Sequence, residues 1–219
     1  SGIRNVIARR MVESKFSAPH YYVKMDVEMG AFMAARKALN AELPQKLSVN
    51  GMLMKFVAEA LKRHPVVNSS WQEDHILQYG SQDIGLAVDA GRGLITPIVR
   101  NCGGRGMSDI DAELQELIAL ARTGGLKPEQ YQGATFTISS LGSFGVDEFT
   151  AIINAPGSAI LAVGRIRPTP VFDDGGNVRR ADLMTLTLSS DHRVIDGAEA
   201  ARFMQTLKRM MEDPIRTLV

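Results

Sequence analysis

The sequence predicts a mixed α/β fold of the α+β kind, in which helices cover a mixed or largely antiparallel sheet. Several short segments alternate apolar and polar residues, as half-buried strands do, and others place apolar residues at helical spacing. Strand and helix patterns are interspersed along the chain without an internal repeat or a low-complexity linker. With 219 residues, 45% of them hydrophobic, the chain is long enough for one substantial core, so we expect a single domain.

The first third of the chain combines one strand with two helices. Residues 20–29 alternate cleanly, with tyrosine, valine and methionine on one face and mostly charged residues on the other. A helix is predicted from about residue 30 to 43, because Pro44 stops it. A second helix is predicted to begin at Asn50 as its N-cap and to end before Pro65.

The middle third predicts a strand pair followed by a helix. Residues 83–90 alternate, and a glycine turn joins them to a partner strand over residues 94–99. Ser108 and Asp111 have the spacing of a capping box ahead of a helix. Gly124 ends that helix.

The last third predicts three strands and a final helix. Residues 135–139 form a short strand, and residues 158–164 form a buried one. Residues 173–177 are rich in Asp and Gly and predict a hairpin turn. A strand over residues 184–190 leads into a helix over residues 197–212, which ends before a proline.

Charge and cysteine content exclude several classes of protein. A formal net charge of +1 gives no electrostatic reason to expect nucleic acid or an anionic membrane as a partner. Apolar runs fall short of the roughly 20 residues of a membrane helix. The single Cys102 rules out an internal disulfide and favours a reducing compartment. The histidine spacing indicates no metal site.

The segment Ser-Asp-His-Arg-Val-Ile-Asp-Gly over residues 190–197 is the strongest candidate for catalysis. His192 lies between a predicted strand and a predicted helix, and an imidazole with its ordinary pKa of about 6.5 accepts a proton near neutrality. The alternative is a histidine that only caps or fills the structure. Asp196, four residues on, either polarises His192 or holds an arginine. The candidates for that arginine are Arg4, Arg9, Arg10 and Arg193.

A second candidate group follows the strand at residues 135–139. Ser139 and Ser140 lead into a glycine-rich turn that lacks the pattern of a nucleophile elbow. A covalent serine nucleophile is therefore not indicated. A hydroxyl at the end of a strand donates well to a developing oxyanion, although a polar turn without a catalytic role is the simpler interpretation.

Several motifs together resemble the catalytic core domain of the dihydrolipoyl acyltransferases of 2-oxo acid dehydrogenase complexes. The matching pieces are Arg4-x-x-Ile7-Ala8-x-x-Met11, Ser14, Pro19-His20, Asp89-x-x-Arg92-Gly93-Leu94-x-x-Pro97, Thr137-Ile138-Ser139, Phe149-x-x-Ile152-Ile153-Asn154-x-Pro156, Ala159-Ile160-Leu161 and Asp191-His192-Arg193-x-Ile195-Asp196-Gly197. The resemblance covers essentially residues 1–219. It implies a two-layer α+β sandwich similar to chloramphenicol acetyltransferase, assembled as a trimer with active sites at the subunit interfaces.

The resemblance also implies roles for four residues. His192 is expected to act as general base on a thiol, and Ser139 of a neighbouring subunit to hydrogen-bond the tetrahedral oxyanion. Asp196 is expected to pair with an N-terminal arginine, for which Arg4 is the best match. The substrates would be coenzyme A and a lipoyl group on a separate domain, entering a channel from opposite ends. The resemblance assigns no residue here to coenzyme A binding and implies no metal.

The remaining expectations concern the parent assembly. Trimers would build a cubic or dodecahedral core, with residues 215–219 as a candidate contact between trimers or else a frayed terminus. The full-length protein would add a lipoyl domain and a peripheral-subunit-binding domain, both absent from this chain. It would dock a decarboxylase and a dihydrolipoyl dehydrogenase, in bacterial cytoplasm or the mitochondrial matrix. Acetyl is the expected acyl group, with succinyl and branched acyl groups, a different acceptor, and a non-catalytic scaffold as alternatives.

Overall fold

The structure is a computed structural model that describes residues 2–91 and 93–215. Arg92 and residues 216–219 of the predicted tail contact lie outside the described residues. The described chain has five α-helices and nine β-strands. In order they are α1 (Gly2–Ser17), β1 (His20–Glu28), α2 (Gly30–Glu42), α3 (Val49–Arg63), β2 (Ser69–Gln72), β3 (His75–Gln78), β4 (Ile84–Asp89), β5 (Leu94–Ile95), β6 (Ile98–Val99), α4 (Met107–Thr123), β7 (Phe136–Ser140), β8 (Ala159–Phe172), β9 (Val178–Asp191) and α5 (Gly197–Glu212).

Seven strands form one sheet, and it is mixed as the sequence predicts. The strand order is β1-β9-β8-β7-β4-β5, with β6 also paired to β4. β7 runs parallel to both β4 and β8, and the other pairs of this sheet are antiparallel. β2 and β3 form a separate two-stranded hairpin. The prediction of a mixed α/β fold is therefore confirmed.

The sheet has an apolar face under helices and a more polar face on the other side. Helices α2 to α5 contribute to one core cluster with the inward residues of the sheet, among them Leu186 and Ile138. Successive residues of a strand point to opposite faces, so Thr137 and Ser139 lie on the face away from these helices. There Asn154 Nδ2 donates to Thr137 Oγ1 at 3.2 Å, which brings the irregular segment 141–157 onto this face.

Three elements differ from the sequence predictions. Helix α1 was not predicted, because most of its residues are exposed and its apolar residues do not gather on one face. The predicted strand over residues 94–99 is broken into β5 and β6 around Pro97, which has no N–H to donate to a ladder. β8 and β9 are each 14 residues long and extend well beyond the predicted strands, meeting at the predicted turn 173–177.

Both predicted helix N-caps are wrong, and one tertiary contact explains both errors, whereas Gly124 ends α4 as predicted. Ser48, and not Asn50, caps α3 by accepting from the backbone N–H of Gly51 at 2.9 Å. α4 begins after Gly106 without a side-chain cap. Asp111 is 1% exposed and accepts at 2.8 Å from the backbone N–H of Ser48 and at 2.5 Å from its hydroxyl. The residue predicted to start α4 therefore anchors the start of α3.

We predict that Asp111→Ala destabilises the protein by about 1–3 kcal/mol, because it leaves the N–H and hydroxyl of Ser48 without their acceptor. Urea unfolding at a fixed protein concentration measures this free energy. Asp109→Ala is the matched control, since Asp109 is an exposed aspartate in the first turn of the same helix. Equal losses from the two variants would contradict the anchoring role of Asp111.

Candidate active site

His192 lies in the turn between β9 and α5, exposed at the end of the sheet. Its backbone N–H donates to the carbonyl of Pro19 at 3.0 Å, which fixes the main chain. Its ring packs against the ring of Tyr21, with centroids 4.8 Å apart and planes tilted by 54°. Within the described chain, neither ring nitrogen of His192 has a hydrogen-bond partner. Packing therefore orients an imidazole whose nitrogens are available to a substrate.

Tyr21 supports both the ring and the turn. Its hydroxyl lies 2.8 Å from the carbonyl oxygen of Asp196 and 3.1 Å from that of Ile195, and donates its single proton between them. Burial raises the pKa of Tyr21, so the hydroxyl stays protonated at neutral pH. The Tyr21 side chain thus packs on the imidazole of His192 and also hydrogen-bonds the backbone three and four residues after His192.

Arg193 is one of the four arginines that the sequence offers as partners of Asp196. In the structure it pairs instead with Asp191, within the same turn. Asp191 is 3% exposed. The Nη2 of Arg193 donates to its Oδ2 at 2.7 Å, and the Nε of Arg193 donates to its Oδ1 at 3.0 Å. The other side of the guanidinium lies 5.3 Å from the ring centroid of Trp71 on β2. Hydrogen bonding to Asp191 raises the pKa of Arg193, so the guanidinium stays charged.

Asp196 caps the last helix. Its Oδ1 accepts from the backbone N–H of Glu199 at 2.8 Å, as an N-cap side chain does. Arg4 lies on α1 and is exposed. Over residues 2–91 and 93–215 no ion pair joins Arg4 to Asp196, so the structure does not bring the predicted pair together. The pairing stays a prediction.

Ser139 lies half-buried on β7, on the same row of the sheet as Ala162 and Thr187. His192 is five residues beyond Thr187, one residue past the end of β9, and two strand spacings separate β7 from β9. Standard sheet dimensions therefore put the backbones of Ser139 and His192 about 19 Å apart in one chain. An oxyanion donor must lie about 3 Å from the reacting oxygen, so these two residues of one chain cannot act on the same carbonyl.

The described residues offer no accessible thiol nucleophile and no metal centre. Cys102 is fully buried, and burial raises its pKa to about 12, so its thiol is neutral and inaccessible. Residues 2–91 and 93–215 contain no group of three or more His, Cys, Asp or Glu side chains arranged to hold a metal ion. In the same part of the chain, no helix is long and apolar enough to span a bilayer.

Comparison with known families identifies the domain. The family model for the catalytic domain of 2-oxoacid dehydrogenase acyltransferases matches residues 1–219. The chain belongs to this family. It is 47% identical to a mitochondrial dihydrolipoyllysine-residue acetyltransferase component of pyruvate dehydrogenase complex from Schizosaccharomyces pombe, and 46% identical to the corresponding protein of Zymomonas mobilis. All of this acyltransferase-family chain aligns to each, but it spans only 46% and 50% of their lengths.

Solved structures agree with this family assignment. The dihydrolipoamide acetyltransferase of Azotobacter vinelandii matches with a TM-score of 0.93 and 36% identity, covering 98% of this chain and 90% of that one. A cubic core of the pyruvate dehydrogenase multienzyme complex matches with a TM-score of 0.92 and 36% identity over 99% and 90% of the two chains. Chloramphenicol acetyltransferase has the same fold at a TM-score of 0.53 and 12% identity, covering 93% of this chain and 94% of that one.

Two residues of this acyltransferase-family site had no functional prediction. Tyr21 was placed only on the apolar face of β1, and Trp71 lies in a hairpin that was not predicted. Both contact the His192 turn only because strands distant in sequence meet there. The alternating pattern around Tyr21 predicts which face of the sheet Tyr21 lies on. It does not predict the hydrogen-bond partners of the Tyr21 hydroxyl.

We predict that Arg193→Ala destabilises the protein by about 1–3 kcal/mol, because Asp191 is buried and loses a charged hydrogen-bond partner. Thermal or urea unfolding against the wild type measures the loss. Arg202→Ala is the control, since Arg202 pairs with Glu199 on the surface and its side chain is 56% exposed. Exposed pairs contribute about 0–1 kcal/mol. An Arg193→Ala variant as stable as the control would contradict a structural role for the Asp191 pair.

Proposed function

We propose that this chain is the catalytic core domain of an acyltransferase that moves an acetyl group between a dihydrolipoyl thiol and coenzyme A. The observation that carries the proposal is His192, an exposed imidazole oriented by Tyr21 and held by Pro19, in a chain nearly half identical to named acetyltransferases. Its relatives include mitochondrial and bacterial components of the pyruvate dehydrogenase complex. Bacterial cytoplasm or the mitochondrial matrix is therefore the compartment we propose.

The reaction needs a base, because a thiol with its ordinary pKa of about 8.5 is mostly protonated at neutral pH. His192 accepts the proton as the sulfur of one substrate attacks the thioester carbonyl of the other. A tetrahedral oxyanion forms and collapses, the second thiolate leaves, and it takes the proton back from the imidazolium. Both substrates are bound together, so proximity replaces an acyl-enzyme intermediate. The buried Cys102 is consistent with direct transfer.

Ser139 is the proposed donor to the oxyanion, and it must come from a second copy of the chain. The separation of about 19 Å within one chain supports this, because sheet geometry keeps the two residues apart. Helix α1 also exposes three apolar side chains, Val6, Val12 and Phe16, at 56%, 57% and 84%. Such surface is typical of subunit contacts. A homotrimer with interfacial sites, built into a larger cubic or dodecahedral core, meets both requirements.

Asp196 is proposed to hold the geometry of the turn and not to transfer protons. In the Azotobacter vinelandii enzyme, a serine, a histidine and an asparagine four residues after that histidine have been investigated in the catalytic mechanism. Asp196 stands four residues after His192 here, so an amide and a carboxylate fill corresponding places. An N-cap is compatible with both side chains. The second oxygen of Asp196 remains available for Arg4 in the assembled protein.

The proposed partners belong to the full-length protein. The lipoyl group would arrive on a separate domain, and a decarboxylase and a dihydrolipoyl dehydrogenase would dock elsewhere on the longer chain. Coenzyme A is the second substrate, and no residue is assigned to it here. We propose no metal in the reaction.

A second candidate function is a scaffold without catalysis. A mouse relative 43% identical over 220 residues is named as the protein X component of pyruvate dehydrogenase and not as an acetyltransferase. Because this relative carries a different component name, family membership alone does not establish acetyltransferase activity in this chain. The presence here of His192, Ser139 and Asp196 favours the enzyme over the scaffold.

We expect the purified chain to transfer acetyl from acetyl-coenzyme A to free dihydrolipoamide faster than it transfers succinyl or isobutyryl. A pocket distinguishes one or two methylenes by only about 1–3 kcal/mol, so a preference of roughly 10- to 200-fold over isobutyryl is expected. Steady-state rates with the three donors in parallel measure it. A folded, assembled chain that is inactive with all three would support the scaffold, and a preference for another donor would assign a different parent complex.

We expect His192→Ala to lower kcat by about a hundredfold to ten-thousandfold, and Ser139→Ala by about a hundredfold, since these are typical losses for a general base and an oxyanion donor. Ser140→Ala is the matched control, because Ser140 lies next in β7 on the opposite face of the sheet.

Mixing the His192→Ala and Ser139→Ala variants tests whether His192 and Ser139 of one site come from different chains. After unfolding and refolding together in equal amounts, random trimers should recover about a quarter of wild-type activity, because a quarter of the interfaces join an intact His192 to an intact Ser139. No recovery in mixed trimers would mean that both residues act from the same chain.

A further inference from the structure

His20, outside the reacting groups proposed above, makes two hydrogen bonds that define its protonation state. Its Nδ1 lies 2.8 Å from the carbonyl oxygen of Ala18, and its Nε2 lies 3.1 Å from the backbone nitrogen of Ile153. A carbonyl only accepts and an amide N–H only donates. Nδ1 therefore carries the proton and Nε2 is the acceptor, which is one neutral tautomer of the imidazole.

The groups that His20 joins are themselves tied to other parts of the site. The carbonyl of Ile153 accepts from the hydroxyl of Ser14 on α1 at 2.6 Å. The next residue, Asn154, donates to Thr137, two residues before Ser139 on β7. The imidazole of His20 therefore connects the corner between α1 and β1 to the segment that crosses the polar face of the sheet.

The backbone around His20 also touches His192 directly. His20 is the cross-strand partner of Asp191, the residue before His192. Pro19, the residue before His20, supplies the carbonyl that accepts from the N–H of His192. A shift of residues 19 and 20 is therefore passed to the backbone of His192 through both contacts.

We propose that His20 is a positioning residue for His192: its neutral imidazole clamps segment 149–157 against β1 and thereby fixes the backbone that carries the base. This inference rests on the proposed function, since it concerns the place of the general base. A base displaced by about 1 Å loses up to a hundredfold in rate, so a clamp one contact away affects turnover without touching substrate.

Three substitutions separate the two hydrogen bonds. His20→Gln places an amide oxygen near the position of Nε2 and keeps an acceptor for Ile153. His20→Asn places an amide nitrogen near Nδ1 and keeps only the donor to Ala18. His20→Ala removes both. His75→Ala is the matched control, because His75 is an exposed histidine on β3 whose Nδ1 bonds only the neighbouring Asp74.

The experiment measures kcat and KM for acyl transfer together with hydrogen exchange of peptides covering residues 149–157 and 187–195. We expect His20→Ala and His20→Asn to lower kcat about 10- to 100-fold with KM changed less than threefold, and His20→Gln to recover most of the loss. Exchange should speed up in both peptides for Ala and Asn, and return towards wild type for Gln.

Other results overturn the inference in distinct ways. Wild-type kcat and exchange in all three variants would show that the clamp positions nothing. Equal losses in Gln, Asn and Ala, in step with a lowered melting temperature, would make His20 merely structural. A wild-type chain without transfer activity would instead refute the proposed function, and the exchange of residues 187–195 would then still decide whether His20 holds the His192 turn.

Discussion

The antiparallel pairing of β1 with β9 is the constraint on which the candidate site depends. Nine residue pairs run from His20 with Asp191 to Glu28 with Leu183. A slip of one residue in this register would move every side chain of β1 to the opposite face of the sheet. Tyr21 would then no longer contact the ring of His192, and the apolar residues of β1 would no longer be buried in the core. Burial of one face thus fixes the register, and the register places the groups around His192.

The two sides of the sheet differ in the side chains that they carry. The helix-covered side holds the apolar cluster and provides a rigid support. The other side buries hydroxyl residues, including Thr137, Thr187 and Ser189. Ser139 lies on this same side of the sheet. His192 stands at the end of β9 instead of above this surface, so His192 and Ser139 lie at separate places in one chain. Under the proposed mechanism a complete site then requires two copies, which would link catalysis to assembly.

The sequence predicts the periodic elements well and the tertiary contacts poorly. β1, β4 and α5 are recognisable because burial on one face imposes a period on the residues themselves. The cap of α3 is not recognisable, because the buried Asp111 that holds Ser48 lies 63 positions away in sequence and looks like a cap for its own helix. α1 is missed because it contributes almost nothing to the core of its own chain.

The same contrast holds within the site. The His192 motif is recognisable from residues close in sequence, and its place between strand and helix is confirmed. The partner of Asp196 could be any of four arginines on pattern alone, and the structure removes Arg193 from that set because Arg193 pairs with Asp191. Tyr21 and Trp71 contact the His192 turn only because strands distant in sequence meet there. No local sequence pattern therefore predicts these contacts.

Three consecutive residues, Pro19, His20 and Tyr21, hold His192 in three different ways. The carbonyl of Pro19 fixes its backbone, and the ring of Tyr21 orients its imidazole. Because neighbours in a strand point to opposite faces, His20 reaches across the polar face to Ile153 while Tyr21 lies on the apolar face. The turn that carries His192 is therefore connected to both faces of the sheet through one short segment. Substitutions within that segment share contacts, so their effects on turnover should not be additive.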